Sequence, residues 1–241
     1  MVCALIRGEG NMRYSIIVPA YKKEAEIGNM LHSYLEYFRK KGGSFEFLVV
    51  CDDEATAGVA KKFREMYKEV IVIENKSRVG KGKAIQIGLE KANSEIVGFV
   101  DGDFSVEPYE FAKLIEEIEK NEELDCVIGS RWMKGSKLEQ KILRKVASRA
   151  FNLILRIILG FDYADTQCGA KVLRRRVLPI VKEAKIGGFA FDIELLLLLK
   201  KNGCTIKEVP IRWVDRGRST VTIFDIAIMF IDVLRIRRYY L

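Results

Sequence analysis

From Tyr14 to Gly129, short apolar runs alternate with longer segments whose apolar residues recur every three or four positions. That alternation is what most constrains the fold. Tyr14–Ala20, Phe45–Cys51, Val70–Glu74, Glu95–Val100 and Asp125–Gly129 have the length and composition of strands. Between them, Glu24–Lys41, Ala55–Tyr67, Lys81–Ala92 and Pro108–Lys120 have helical spacing. In the first of these helices, Ile27, Met30, Leu31, Tyr34, Leu35 and Phe38 share one face. Strands apolar along their whole length need cover on both faces. The expected class is therefore α/β: a Rossmann-like, mostly parallel sheet with helices on both sides. No Pro/Gly/Ser-rich linker or internal repeat divides the 241 residues. Residues 13–241 read as one domain. Residues 1–12 read as a flexible lead-in, with Met12 as the natural start.

The run Ile96–Val100 ends in Asp101-Gly102-Asp103. Ligands of open α/β sheets sit outside the carboxyl ends of the strands. Two carboxylates at that edge suit a hard divalent ion, Mg²⁺ or Mn²⁺, which commonly holds substrate phosphates as well. Glu107 follows as a third acid at the mouth of the next helix. Loops at three other strand ends converge on the same edge: 19–24, 51–54 and 75–83. The last contains Gly80-Lys81-Gly82-Lys83, a pattern suited to phosphate at a helix start. It is neither a Walker loop nor a dinucleotide fingerprint.

Charge divides the chain. Residues 1–126 carry 18 Lys/Arg against 23 Asp/Glu, and residues 127–241 carry 23 against 10, so the second half has a balance of +13. It should meet anions: phosphate, nucleic acid or an anionic membrane face. Aromatic residues are not interleaved with the basic ones as nucleic-acid binding requires, so that partner is set aside. Five cysteines, without a C-x-x-C pair, argue for a reducing compartment and against zinc. With one histidine, His32, triads based on histidine are set aside too. No run reaches the roughly 18 uninterrupted apolar residues of a membrane-crossing helix, and Met1–Asn11 lacks a signal-peptide core. The stretch 222–238 reads as an amphipathic helix. Its apolar face includes Phe224 and Phe230, and Arg235, Arg237 and Arg238 follow, a pattern suited to a membrane interface.

Ser15–Tyr21, Val49–Asp53, Gly80–Ala84 and Val100–Asp103 together resemble inverting glycosyltransferase family 2. Ile128–Arg131, Asp165–Lys171 and Phe191–Leu196 resemble its dolichyl-phosphate mannose and glucose synthases. The resemblance implies a glycosyltransferase A fold, a nucleotide-sugar donor of the GDP-mannose or UDP-glucose type, and a polyprenyl phosphate acceptor. It implies that Pro19, Ala20, Tyr21, Glu24 and Asp52 hold base and ribose, with Lys81, Gly102 and Asp103 completing the donor site. Asp101 and Asp103 would hold the metal. Arg131, Arg144, Ser148, Asp165, Gln167 and Arg218 would meet donor or acceptor phosphates. Asp101, Asp103, Arg131 and Asp192 are the catalytic candidates. The chain departs from the family in having Lys22-Lys23 where Asn-Glu is usual, and Ser105 where Gln or Asn is frequent. Two alternatives stay open: a saccharide or small-molecule hydroxyl acceptor, with Asp192 as general base, and a non-catalytic nucleotide-sugar-binding protein. The expected setting is the cytoplasmic face of a membrane. Arg174–Arg176 are expected to be a solvated strand end rather than a phosphate site.

Overall fold

The computed structural model describes residues 13–140, 142–216 and 222–241. The expectations about residues 1–12 and Arg218 lie outside them, and the side chain of Arg144 is likewise not described. Five strands and four helices alternate through the first half: β1 (Tyr14–Ala20), α1 (Ile27–Lys41), β2 (Phe45–Cys51), α2 (Glu54–Met66), β3 (Val70–Glu74), α3 (Lys81–Lys91), β4 (Ile96–Val100), α4 (Pro108–Lys120) and β5 (Cys126–Ser130). The second half adds β6 (Lys137–Glu139), α5 (Ile142–Leu159), β7 (Ala170–Arg174), α6 (Leu178–Val181), α7 (Phe191–Lys201), β8 (Ile206–Pro210), β9 (Arg212–Val214) and α8 (Ile223–Tyr240). The sheet runs β3-β2-β1-β4-β7-β5-β8, and only β7 is antiparallel to its neighbours; β6 and β9 form a small separate pair.

Local chemistry explains the element limits. The apolar stripe expected on α1 is buried as a unit. The helix begins at Ile27 rather than Glu24 because the Lys23 carbonyl accepts from the Glu26 and Ile27 amides, closing a turn first. Asp53 caps α2, its carboxylate accepting from the Thr56 amide at 2.9 Å. Pro108 stands in the first turn of α4, where its missing N–H costs nothing. Thr222 and Asp225 form a reciprocal capping box that starts α8.

Two apolar cores flank the sheet. One holds Tyr34, Phe38, Phe47 and Phe111 under α1 and α4. The other holds Ile85, Phe99, Leu155, Phe191 and Val233 under α3, α5, α7 and α8. The chain leaves β1 towards β2 and β3, then returns to β4 on the other side. The carboxyl ends of β1 and β4 therefore border the topological switch point. Because β7 runs backwards, its register sets Val100 opposite Ala170. The residue after β4, Asp101, thus meets the residue before β7, Gly169.

At the opposite end of the sheet, Arg174 donates to the carbonyls of Ile118, Asn121 and Leu124, and Arg175 to those of Ala92 and Ser94. Arg176 pairs with Asp125. These arginines cap helix ends far from the switch point. They are no phosphate site, and all three donate to backbone carbonyls, Arg176 to that of Glu122 at 2.9 Å, rather than being left to solvent.

Candidate active site

A cavity of about 520 Å³ opens at the switch point. One wall comes from the end of β1 with Pro19, Ala20, Tyr21 and Lys23, and from Asp52 after β2. Its floor is Asp101, Gly102 and Asp103; Lys81, Arg131, Gln167, Gly169 and Asp192 surround them. The far wall is apolar: Phe151 and Ile154 of α5, Ile226, Met229 and Phe230 of α8, and Trp213. Ser148 also reaches the cavity.

The structure sorts the expected residues. Pro19, Ala20, Tyr21, Asp52, Lys81, Gly102, Asp103, Asp101, Arg131, Ser148, Gln167 and Asp192 all line this one space. Glu24 is exposed and does not line it. Asp52 holds a loop: it accepts from Asn75 at 2.8 Å and from the Val79 and Gly80 amides at 3.1 and 3.0 Å. Glu107 turns to Arg216 instead of joining the two aspartates. Tyr21 carries Arg78 on its ring face, 4.5 Å from the centroid. Arg78 in turn approaches Asp225 of α8 at 3.9 Å, so one side chain bridges the two walls. Lys22, where the family usually has Asn, has φ of 53°. That left-handed backbone favours Asn and is strained for most other residues. The Lys22 amide donates to Asp53 at 2.7 Å, which holds the turn.

Arg131 and Asp165 form a buried bidentate pair, with guanidinium nitrogens 2.7 and 2.9 Å from the two carboxylate oxygens. Burial opposes both charges, but each holds the other ionised: Asp165 sits below its ordinary carboxylate range and Arg131 above its own. Asp165 thus lies beneath the cavity and orients Arg131, whose remaining donors are what a phosphate can meet. Asp192 is also buried, with Lys171 at 2.5 Å and Lys81 at 2.9 Å. Burial pushes its carboxyl upward, but the two ammonium groups outweigh that and hold it low. A carboxylate kept ionised by two cations is a poor general base. Glu194 accepts from the Lys185 and Ile186 amides and from the Tyr240 hydroxyl, so it ties α7 to a loop and to the end of α8.

Sequence reasoning passed over Lys171 and Gly169 as site residues. A lysine between Ala170 and Val172 in an apolar strand must be buried, and that was the available signal. The whole Asp165–Lys171 segment now has physical content. Asp165 clamps Arg131, Thr166 donates to Asn152 of α5, Gln167 faces the cavity, and the Cys168 carbonyl accepts from Lys171. A Cβ on Gly169 would fall 1.8 Å from Asp101 Oδ2, so only glycine leaves room for that carboxylate.

The donor set fits a hard divalent ion. Burial first, and then the Asp101 charge, push the Asp103 carboxyl upward, a repulsion that a shared cation relieves. Among the described residues no group of three His, Cys, Asp or Glu side chains converges to cage a metal. Two carboxylates leave the remaining positions to water and substrate phosphate, the usual arrangement for Mg²⁺.

The sheet order, the reversed β7 and the Asp101–Asp103 turn at the switch point define a glycosyltransferase A fold. The chain belongs to glycosyltransferase family 2, whose model, "Glycosyl transferase family 2", matches residues 15–179. It is 30% identical over 239 residues to a dolichyl-phosphate beta-glucosyltransferase of Trichomonas vaginalis, covering 94% of this chain and 73% of that one. It is 29% identical over 251 residues to the dolichyl-phosphate beta-glucosyltransferase of Dictyostelium discoideum, covering 96% and 76%. Among solved structures it resembles glucosyl-3-phosphoglycerate synthase of Mycobacterium tuberculosis in complex with Mn²⁺, UDP-glucose and phosphoglyceric acid. The TM-score there is 0.69 at 18% identity, over 95% of this chain and 79% of that one, a likeness of fold.

Proposed function

We propose that this glycosyltransferase moves a hexose, glucose by the names of the relatives reported above, from a nucleoside diphosphate sugar to a polyprenyl phosphate with inversion at the anomeric carbon. One observation carries the reading: a single cavity joins a carboxylate-floored half to an apolar wall on α5 and α8. The first half suits a metal-bound diphosphate and the second an isoprenoid chain. Names of the relatives agree with the acceptor, and the Mn²⁺ and UDP-glucose of the structural neighbour agree with the donor chemistry.

In the reaction, the anomeric carbon–oxygen bond to the diphosphate breaks and the leaving group takes the electron pair. An acceptor phosphate oxygen bonds to the opposite face. A divalent ion on Asp101 and Asp103 would neutralise the charge growing on the departing diphosphate. Arg131, fixed by Asp165, adds a planar donor pair suited to phosphate. The acceptor is already anionic at neutral pH, so no base has to remove a proton. The low-lying Asp192 fits that case and argues against a hydroxyl acceptor.

The apolar wall continues outside the cavity. Phe224 is 78% exposed and Ile157 is 74% exposed, with Leu153, Ile231 and Leu234 exposed nearby on the same two helices. Large apolar side chains left exposed on two helices that pack together suit an interaction site. We assign it to the membrane that carries the acceptor, at the cytoplasmic face. No helix among the described residues is long and apolar enough to cross a membrane. Arg235 pairs with Asp232, and Arg237 donates to the Ile158 carbonyl, so both are already engaged within the protein. Phe230 is packed on Phe151 at 4.9 Å and is a poor probe; Phe224 and Leu234 are better ones. Anionic phosphatidylglycerol vesicles should sediment the protein, with modest loss as salt rises. Changing Phe224 and Leu234 to Ser should weaken binding at least about tenfold without lowering thermal stability. A wild-type protein that ignores such vesicles at low salt would remove the membrane assignment.

The function is tested by one screen. UDP- and GDP-hexoses are offered with a short polyprenyl phosphate and Mg²⁺ or Mn²⁺, and lipid-linked sugar is measured. Product should form only with the metal and the phosphorylated lipid. Equal transfer to an unphosphorylated alcohol or a free sugar would overturn the acceptor.

A further inference from the structure

Lys81 opens α3 and reaches the cavity floor with its ammonium 2.9 Å from Asp101 Oδ1 and 2.9 Å from Asp192 Oδ2. Behind Asp192 stands Lys171, fully buried, at 2.5 Å, itself anchored on the Cys168 carbonyl at 2.7 Å. The four charges alternate in sign from the cavity inward: Asp101, Lys81, Asp192, Lys171. Such a file can be buried because each charge has its opposite beside it.

Packing holds the file in place. A Cβ on Gly82 would lie 2.5 Å from Phe191 Cβ and 2.7 Å from the Ile186 carbonyl oxygen, so the first turn of α3 rests directly on the start of α7. The Lys83 amide donates to the Gly187 carbonyl at 3.1 Å, which pins the same turn. Gly169 closes the other side of Asp101. Lys81 is therefore placed by its helix, Asp192 by Lys171, and Asp101 by both strands. The arrangement gives Asp101 a matched charge before any metal ion arrives.

We infer that Lys81 is a resident counter-ion for the metal-binding carboxylate, held on Asp101 by the Asp192–Lys171 pair and released to the donor diphosphate when ion and donor bind together. The inference rests on the reading of Asp101 and Asp103 as the ligands of a divalent ion. An ammonium and a divalent ion on one carboxylate repel across a few ångströms, and Lys81, largely buried, is screened less than a surface group. The ion alone is then bound weakly. A diphosphate supplies enough negative charge for both cations, so ion and nucleotide each raise the affinity of the other, and by the same factor.

The test is Mn²⁺ binding, followed by the electron paramagnetic resonance of free Mn²⁺, with and without UDP or GDP. The wild type should bind Mn²⁺ weakly alone and far more tightly with the diphosphate. Lys81→Met and Lys81→Gln should bind Mn²⁺ alone about tenfold more tightly or better, since a neighbouring positive charge is gone. Their gain on adding diphosphate should shrink. Lys81→Arg keeps the charge and should stay near the wild type. In each variant Asp192 retains Lys171. Neutral variants that bind Mn²⁺ no tighter than the wild type, or a wild type in which ion and diphosphate bind independently, would overturn the inference. Asp101→Asn separates the two readings. It should lose Mn²⁺ in every condition, and unchanged binding would remove Asp101 as a ligand and the inference with it.

Discussion

Asp103→Asn should fold like the wild type and lose turnover by about a thousandfold or more, the several kcal/mol that charge stabilisation at a leaving group supplies. The carboxylate sits at the cavity floor, three residues past the buried β4, and its Oδ1 accepts from the Ser105 amide at 2.9 Å. Asparagine keeps that acceptor and the shape, and removes only the charge. Of the two aspartates, Asp103 is the cleaner probe. Asp101 also partners Lys81, so its replacement disturbs the buried file of charges as well. Steady-state transfer and thermal melting are measured on the same preparation. Full activity in a folded Asp103→Asn protein would exclude the charge role.

The same floor shows how far residue patterns reach. Strands β1 to β5 and helices α1 to α4 are legible because each is local: an apolar run or a helical stripe declares itself within a dozen residues. Their order along the chain also places the loops that meet at the switch point. The reversal of β7 is not local. Nothing in Ala170–Arg174 announces that it inserts antiparallel between β4 and β5, yet that insertion brings Gly169 against Asp101 and Lys171 against Asp192. Charge partners were equally hidden. Arg131 and Asp165 are 34 residues apart, and an arginine met singly reads as a phosphate ligand, not as half of a clamp. Helix α5 has a readable stripe, with Phe151, Leu155 and Leu159 four apart, but the phosphate roles that the resemblance implies for Arg144 and Ser148 say nothing of its apolar face. Glu24 lies outside the cavity for a simpler reason: position along a motif does not fix the direction in which a turn points a side chain.

Arg131→Ala should cost stability as well as turnover. Read as a free phosphate ligand, Arg131 would be removable without harm to the fold. Paired as it is, its loss leaves Asp165 wholly buried, with only the Arg131 and Gln167 amides among the described residues to accept from. Removing one member of a buried pair costs on the order of 3–5 kcal/mol, and the two remaining amides put this case at the lower end. Melting should fall by roughly 6–12 °C. Arg131→Met with Asp165→Leu removes both charges and should recover much of that stability, as apolar replacement of buried pairs often does. It should not recover turnover, because the cavity still lacks the guanidinium. pH gives an independent reading of the pair. Asp165 is held below its unfolded value, so its stabilisation is complete above about pH 4 and is lost as pH falls through the lower folded value. The wild type should therefore lose part of its melting temperature between pH 5 and acid that the double variant keeps. A double variant that melts like the wild type and also transfers sugar at the wild-type rate would show that Arg131 holds the loop and touches no phosphate.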